Sequence, residues 1–383
     1  MTATRNDIDD LDLEHARAQV DRTLDAFLRD KQRTTRQRHL PPEIVDTLRT
    51  FVFGGAKRLR PQLCVAGWHA GGAGPDTPPA VFETAAAIEL CHTSILVHDD
   101  IIDHSDTRRG QSTVHRALAH HHRTRANADT LGIHAAVLLG DLAMVWADEL
   151  LHRAPFAPDR SATVLSMFDT MRADVTYGQY LDLLTAGRPT PDLDRAVEII
   201  EYKTTSYTFE GPLRIGAALA GAPPQAHDAL TAYARPLGIA IQLRNDLLDT
   251  YGNPSGTIEP SLSDLREGKL TPLLAIALAH ADPEEAHRLR QLIGNPNLHG
   301  TQADEYRRIL DHTARGEIET MIRARWAEAR HALHHSPFTP RVVRALEQIA
   351  ESVGLGTVYD TERTATPTRT HQTKRTSYVV SFL

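Results

Sequence analysis

The chain of 383 residues contains only two cysteines, Cys64 and Cys91. Each lies inside an apolar run, so we do not expect a scaffold held together by disulfides. So few cysteines in a chain of this length fit a protein of a reducing compartment.

Long uninterrupted apolar runs are also missing. The opening stretch, MTATRNDIDDLDLEHA, lacks the apolar region of a secretory signal. No run approaches the roughly eighteen apolar residues of a membrane-spanning helix. We therefore expect a cytoplasmic protein without stable membrane insertion.

Positive charge does not dominate either. Lysine and arginine together number 42 against 49 aspartates and glutamates, and the net charge is -7. Nucleic-acid binding depends on clustered basic surface, so this balance argues against a nucleic-acid partner. An anionic substrate would need local positive charge or a metal ion.

Strand-like alternation is scarce, whereas apolar residues recur every three or four positions over long segments, which predicts an all-α fold. Glycine- and proline-rich loops divide the chain into about ten predicted helices. We predict one helical domain over residues 1–360, with its motifs within about 50–275. Residues 361–383, rich in threonine and basic residues, are predicted to form a flexible tail.

Two acidic clusters end apolar helical segments. In LVHDDIID, Asp99 and Asp103 are four residues apart and share one helical face, and in QLRNDLLD, Asn245 and Asp249 repeat that geometry. Paired carboxylates repel each other, which indicates a cation between them. Magnesium takes one or two carboxylates and completes its shell with water and substrate phosphates. The two clusters together predict a diphosphate held through metal ions.

Basic residues lie near both clusters. They occur in the segments GAKRLRP, RRG, KTTSY and EGKL, which contain Lys57, Arg60, Arg108, Arg109, Lys203 and Lys269. The planar fork of arginine suits diphosphate oxygens, and lysine supplies a point charge. Any one of these residues alone could equally be a solvated surface side chain.

These segments resemble the trans-prenyl diphosphate synthases, or polyprenyl synthetases, a family that includes geranylgeranyl diphosphate synthases. The similarity follows the family order through GAKRLRP, CHTSILVHDDIIDHSDTRRG, GQYLD, KTTSY, QLRNDLLD and SDLREGKLTP. The resemblance implies an isoprenoid synthase-type helical bundle around a central apolar cavity. It also implies a homodimer that condenses isopentenyl diphosphate with an allylic diphosphate.

The resemblance also implies roles for individual residues. Three Mg²⁺ ions would be held by Asp99, Asp100, Asp103, Asn245, Asp246 and Asp249. The allylic diphosphate would contact Arg108, Lys203, Lys269 and Gln242, and isopentenyl diphosphate would contact Lys57, Arg60, His92 and Arg109. Thr204 and Tyr207 would line the reacting end, with Gln179 and Asp182 as supporting polar residues. The catalytic set would be Asp99, Asp103, Lys203, Gln242 and Asp246.

Some positions depart from the family pattern. Asn245 replaces an aspartate, Ile258-Glu259 replaces a Gly-Lys pair, and Ala56 and Ile241 replace a glycine and a phenylalanine. Two alternatives therefore stay open: a class I terpene cyclase-like enzyme, and a non-catalytic regulatory subunit of a heteromeric synthase. Retention of Lys57, Arg60, His92 and Arg109 favours elongation, because a cyclase has no isopentenyl diphosphate to bind.

Product length should depend on residues below the first acidic motif. In the family, the residue five before the first aspartate often forms the floor of the product pocket. Here that residue is Ser94, with Cys91 one turn deeper, and both are small. The expected product has at least twenty carbons, with geranylgeranyl diphosphate favoured; Met144 or Trp146 on a facing helix could set the floor instead.

The run Ala119-His120-His121-His122 suggests a metal site. Consecutive helical residues point in different directions, so all three histidines cannot bind one ion. We interpret this run as a solvated loop.

Overall fold

The computed structural model describes residues 10–253 and 259–355, and the predicted tail at 361–383 lies outside this range. The described part confirms an all-α fold, with one short hairpin of two strands, β1 (Thr107–Arg108) and β2 (Gln111–Ser112). The first helices are α1 (Leu13–Gln37), α2 (Glu43–Phe53), α3 (Leu59–Ala70), α4 (Pro79–Ile102), α5 (Val114–His121), α6 (Ala128–Arg153), α7 (Pro158–Thr185) and α8 (Leu193–Ile200). A π-helical segment (Glu201–Glu210) then leads to α9 (Gly211–Ala220), α10 (Pro224–Tyr251), α11 (Ser263–Glu267), α12 (Pro272–His280), α13 (Pro283–Leu292), α14 (Gly300–Thr313), α15 (Arg315–His334) and α16 (Pro340–Ser352).

The predicted number of about ten helices was wrong. The described residues form sixteen α-helices and one π-helical segment. Short elements such as α11 and α12 are separated by only a few residues, and periodicity alone does not resolve such interruptions. The predicted glycine- and proline-rich loops do separate helices, for example at Gly221–Pro223 between α9 and α10.

Two apolar cores hold the helices together. One contains side chains of α1, α2, α4, α5, α6 and α7, and the other contains side chains of α10, α12, α13, α14, α15 and α16. The π-helical segment lies between them, since Tyr207 belongs to the first core and Phe209 to the second. Helix α4 therefore carries the first acidic motif from one core, and α10 carries the second from the other.

Helices α4 and α6 are both long and apolar enough to span a membrane by length and composition. The apolar window of α4 is 83% buried within the protein, as expected for a central core helix. The window of α6 is only 39% buried, so this helix presents an apolar face outward. That exposed face includes Ile133, Val137, Leu138 and Val145.

Candidate active site

The first acidic motif ends helix α4. Asp99 and Asp100 lie in its last turn, and Asp103 is its C-cap residue. Arg108, from the β1 strand, donates from Nε to Asp100 at 2.6 Å and from Nη2 to Asp99 at 3.1 Å. One arginine therefore binds both neighbouring carboxylates.

Lys203 connects this motif to helix α7. Its Nζ is 2.6 Å from Asp182 Oδ2 and 4.0 Å from Asp99 Oδ1, and all three side chains are buried. Gly178 makes this contact possible, because a Cβ at that position would lie 2.3 Å from the backbone nitrogen of Lys203. The glycine lets α7 and the π-helical segment approach closely enough for the buried ion pair to form.

The second acidic motif lies in the last two turns of α10. Gln242 donates to Asp246 at 2.8 Å and accepts from Thr204 at 3.2 Å. Asp249 accepts from the backbone nitrogens of Ser263 and Asp264 at 3.0 and 3.2 Å. It therefore holds the start of α11 in place as well as facing the site.

A second lysine joins the two motifs. Lys269 Nζ lies 3.1 Å from Asp103 Oδ2, 3.9 Å from Asp264 Oδ1 and 2.5 Å from Glu267 Oε2. Asp264 in turn donates its backbone N–H to Asp249. The two motifs are thus connected through Lys269 and Asp264 and border one site.

Crowded, buried carboxyl groups shift each other's protonation here. Burial raises the pKa of Asp246 to about 7 and the pKa of Asp100 to about 6. Burial also raises the pKa of Asp103, although Lys269 opposes that shift. Burial alone would lower the pKa of Lys269, but the nearby carboxylates raise it well above its ordinary value. The carboxylates of this site therefore outnumber the cationic side chains that could neutralise them.

The oxygen atoms of these motifs fit a divalent cation. Among the described residues, Asn245 Oδ1, Asp246 Oδ2 and Asp100 Oδ2 are buried and have no hydrogen-bond partner. Buried acceptors without a partner are uncommon and costly. Hard oxygen donors are the ligand type that magnesium prefers.

A second group of polar residues lies deeper on α4. Arg60 Nη1 is 2.9 Å from His92 Nε2, and Arg60 Nη2 donates to Thr208 at 2.7 Å. The hydroxyl of Tyr207 lies 3.0 Å from His92 Nδ1. Burial, followed by the charge of Arg60, lowers the pKa of His92 well below its ordinary value, so the imidazole is neutral.

Positive charge accumulates beside this group. Burial lowers the pKa of Arg109; the carboxylate of Glu89 opposes this shift, and the neighbouring Arg108, Arg60 and Arg58 add to it. No hydrogen bond or ion pair of the Arg109 side chain is present among the described residues. Lys57 lies on the segment that precedes Arg60, and partial burial and the nearby Arg244 lower its pKa. Such excess positive charge favours a bound anion.

Arg58 has a different role from its neighbours in the GAKRLRP segment. Its guanidinium is buried and donates to Glu89 and Asp21, each at 2.7 Å. These two carboxylates neutralise it inside the protein. Arg58 therefore anchors the GAKRLRP segment to the protein. Lys57 and Arg60 are the basic residues of this segment that could bind a substrate.

The residues predicted to limit product length lie where the sequence placed them on α4. Ser94 and Cys91 are both buried, and the hydroxyl of Ser94 has no hydrogen-bond partner among the described residues. Trp146 packs edge-to-face on Phe27 of α1, with their ring centroids 6.3 Å apart. Gln179 is half-buried on α7, and no side-chain contact assigns it a role.

Sequence reasoning missed Thr208, Asp264 and Glu267 as site residues. Thr208 accepts from Arg60, and Asp264 and Glu267 surround Lys269. The proximity of the two acidic residues to Lys269 in SDLREGKL was an available signal. Nothing in the sequence indicated that Thr208 and Lys203 would both face the site, because five residues do not return to one face of an α-helix.

Comparison with known proteins gives consistent results. The family model described as polyprenyl synthetase matches residues 41–311. A short chain isoprenyl diphosphate synthase of Methanocaldococcus jannaschii is 32% identical over 260 residues, 68% of this chain and 74% of that protein. An octaprenyl diphosphate synthase of Escherichia coli is 32% identical over 247 residues, 64% of this chain and 70% of that protein.

A solved structure is similar over nearly the whole described chain. It is the geranylgeranyl pyrophosphate synthase from Corynebacterium glutamicum, complexed with isoprenyl diphosphate and magnesium. The two chains are 34% identical, and the TM-score is 0.83 over 90% of this chain and 99% of that one. The named products of these three proteins differ, so similarity does not fix a chain length.

Proposed function

This chain belongs to the polyprenyl synthetase family and is a prenyltransferase, and we propose that it condenses isopentenyl diphosphate with an allylic diphosphate to an all-trans product of at least twenty carbons. Geranylgeranyl diphosphate is the product that we favour. The proposal rests on one observation above all: two acidic motifs, connected through Lys269 and Asp264, lie beside a separate, positively charged group around Arg60 and Arg109.

The acidic side of the site suits the allylic diphosphate. Arg108, Lys203 and Lys269 are paired with carboxylates. Three Mg²⁺ ions, held by the first motif and by Asn245, Asp246 and Asp249, would neutralise those carboxylates and the leaving diphosphate. Arg108, Lys203 and Lys269 could then exchange their carboxylate partners for phosphate oxygens.

The other side of the site suits isopentenyl diphosphate. Lys57, Arg60 and Arg109 supply positive charge. Neutral His92 accepts from Arg60 at Nε2 and donates from Nδ1 to the Tyr207 hydroxyl, so it positions Arg60 without adding repulsion. A cyclase would have no use for this second group of cations, because it ionises one diphosphate only. These residues therefore support elongation over cyclisation.

The reaction balances without a covalent enzyme intermediate. The allylic carbon–oxygen bond breaks as the diphosphate leaves, the isopentenyl double bond forms the new carbon–carbon bond, and a proton is lost to the released diphosphate. The protein excludes water, orients the two substrates and stabilises negative charge on the leaving group. Thr204 and Tyr207, neighbours on the π-helical segment, would border the reacting carbons.

We also propose that the enzyme is a cytoplasmic homodimer. The apolar face of α6 is unusually open: Leu138 is 68% exposed and Val145 is 59% exposed. Tyr177 and Leu184 of α7 add further exposed apolar surface. Exposed apolar surface of this kind is typical of a protein–protein interface.

One experiment tests the proposed function against its alternatives. Purified protein with Mg²⁺ is incubated with C10, C15 and C20 allylic diphosphates, each with and without labelled isopentenyl diphosphate. Longer labelled diphosphates are the expected products. Hydrocarbons formed without isopentenyl diphosphate would identify a cyclase, and Mg²⁺-dependent substrate binding without turnover would identify a regulatory subunit.

A further inference from the structure

A cluster of metal-ligand side chains lies outside the active site, between the start of α2 and the end of α5. It consists of Glu43, His121 and His122, and one ligand atom from each lies within 4.8 Å of the others. His122 Nε2 is 3.8 Å from Glu43 Oε1. Two imidazoles and a carboxylate in this arrangement form a donor set that the proposed prenyltransferase chemistry does not use.

Local backbone geometry explains how neighbouring histidines face the same point. His121 is the last residue of α5, and His122 is its C-cap residue with φ −98° and ψ 20°. The departure from helical geometry turns the His122 ring, so that the two ring centroids are 4.8 Å apart and the planes are nearly perpendicular. His120 points elsewhere, into a separate cleft with Arg116 and Arg125. Ala119, His120 and His121 belong to α5, so the loop interpretation of this run was wrong, whereas His120 and His121 are exposed to solvent as predicted.

The cluster is accessible without being fully exposed. Glu43 and His121 border a cleft of about 270 Å³ that also includes Asp46 and Gln111. The side chains of His122 and Glu43 are only 23% and 20% exposed. An ion could enter from solvent, while two of its ligands are held by surrounding protein.

We propose that Glu43, His121 and His122 form a Zn²⁺ site with one water molecule as the fourth ligand. Imidazole and carboxylate groups bind zinc at about 2.0–2.2 Å in tetrahedral geometry, which places ligand atoms about 3.3 Å apart. The present ligand atoms, within 4.8 Å of one another, would need to approach by up to about 1.5 Å to reach that spacing. Magnesium, which prefers oxygen donors, does not suit two imidazoles, so this site and the aspartate motifs select different metals.

The position of the site gives it a structural consequence. Helix α2 ends at Phe53, immediately before the segment with Lys57, and α5 follows the hairpin with Arg108 and Arg109. A zinc ion would therefore join the start of α2 to the end of α5, two helices that adjoin the segment with Lys57 and the hairpin with Arg109. We expect bound zinc to reduce the relative motion of these elements and to raise the thermal stability of the protein.

The test uses the full chain in excess Mg²⁺, which keeps the aspartate motifs occupied, and titrates it with Co²⁺ and Zn²⁺. Co²⁺ should give the strong visible absorption bands of a four-coordinate ion, displaced by one equivalent of Zn²⁺. His122→Ala and Glu43→Gln should each weaken zinc binding at least tenfold, by analogy with the effect of disturbing other metal sites. His134→Ala, an exposed histidine of α6, is the matched control and should leave binding unchanged.

Three results would overturn the proposal: only the weak bands of six-coordinate Co²⁺, a zinc affinity unchanged in His122→Ala, or zinc binding lost equally in His134→Ala. Circular dichroism and Mg²⁺-dependent prenyl transfer verify that the variants fold. Because binding is read from absorption and thermal stability, failure of the zinc site leaves the proposed enzymatic function untouched, and loss of prenyl transfer leaves the zinc measurement valid.

Discussion

Asn245 is the residue at which the second acidic motif differs most from the first. Its Oδ1 is buried and has no hydrogen-bond partner among the described residues. Asp246 and Asp249 follow it at the C-terminal end of α10. An amide oxygen in this place can still contact a cation, but it contributes no negative charge.

Replacement of Asn245 by aspartate should strengthen magnesium binding on this side of the site. The added charge lies near the other carboxylates, so the Mg²⁺ concentration that gives half-maximal activity should fall roughly tenfold. The measurement is the rate of prenyl transfer at a series of Mg²⁺ concentrations. Asn127→Asp, at the exposed N-cap of α6, adds the same charge elsewhere and should change nothing; equal behaviour of the two variants would contradict a metal role for Asn245.

Tyr207 should contribute to binding of isopentenyl diphosphate through His92. Tyr207→Phe removes the hydroxyl that lies 3.0 Å from His92 Nδ1 and leaves the buried ring in place. Loss of one hydrogen bond costs about 1 kcal/mol, so the KM for isopentenyl diphosphate should rise roughly fivefold. The KM for the allylic substrate should change much less.

Tyr233 provides the matched control for that experiment. It is also fully buried and donates one hydrogen bond, but its acceptor is the backbone carbonyl of Leu346. Tyr233→Phe should lower stability by a similar amount without a selective effect on either KM. If both variants raise the two KM values equally, Tyr207 acts only through stability.

Ser94 should limit the length of the product. Ser94→Phe adds a large ring at a buried position five residues before Asp99, which should block the growing chain and give products shorter than those of the unaltered enzyme. Product analysis after incubation with labelled isopentenyl diphosphate measures this directly. Met144→Phe on the facing helix tests the alternative floor, and a shift in that variant alone would assign the limit to α6.

At the scale of secondary structure, the π-helical segment decides which residues meet. Lys203 contacts Asp182 of α7, Thr204 contacts Gln242 of α10, and Tyr207 contacts His92 of α4. Thr208 adds a contact to Arg60 of α3. A regular α-helix would direct these residues differently, and π-helical turns occur often at functional sites for this reason.

Gly178 should be essential for the fit between α7 and this segment. In Gly178→Ala the new Cβ would lie 2.3 Å from backbone atoms of Lys203, so the elements must separate. We expect the free energy of unfolding to fall by about 1–3 kcal/mol. Activity should fall more than tenfold, because Lys203 would move relative to Asp182 and Asp99.

Gly316 in α15 is the control for that substitution, since an added Cβ there has nothing within 4 Å. Gly316→Ala should leave activity unchanged and raise the free energy of unfolding by at most about 1 kcal/mol through helix propensity. Urea unfolding and prenyl-transfer rates measure both variants. Full activity in Gly178→Ala would contradict the proposed close approach.

The sequence predicted much of this arrangement at the level of elements and less at the level of contacts. Periodicity indicated helices, and the acidic ends of two apolar segments indicated α4 and α10 as the helices that face each other. The π-helical segment was not predictable, because its residues satisfy an α-helical pattern equally well and tertiary contacts decide the winding. Thr208 was missed for the same reason.

At the scale of the whole molecule, the exposed apolar face of α6 predicts self-association. Leu138→Glu places a charge at its most exposed apolar position and should convert the dimer to monomers, which sedimentation analysis measures. Leu40→Glu is the control, because Leu40 is 45% exposed but lies between α1 and α2. A monomeric unaltered protein, or a dimer that survives Leu138→Glu, would contradict an interface on this face.

The whole-molecule predictions were of mixed quality. The all-α class and the family are confirmed, because both depend on motifs and periodicities that span most of the chain. The single-domain boundary at residue 360 and the flexible tail stay predictions, since residues 356–383 lie outside the described part. Oligomeric state could not be derived from the sequence, because exposure of the α6 face becomes visible only once its other faces are packed.

The ten residues of the π-helical segment, Glu201–Glu210, contact both proposed substrate sites. Its first half contacts the residues proposed to hold the departing group, and its second half contacts those proposed to hold the incoming alkene. A collective motion of the helix bundle that moves this segment displaces both proposed substrate sites in the same direction. The distance across which the new carbon–carbon bond would form therefore changes less during such motion than the distance from either proposed substrate site to the outer helices.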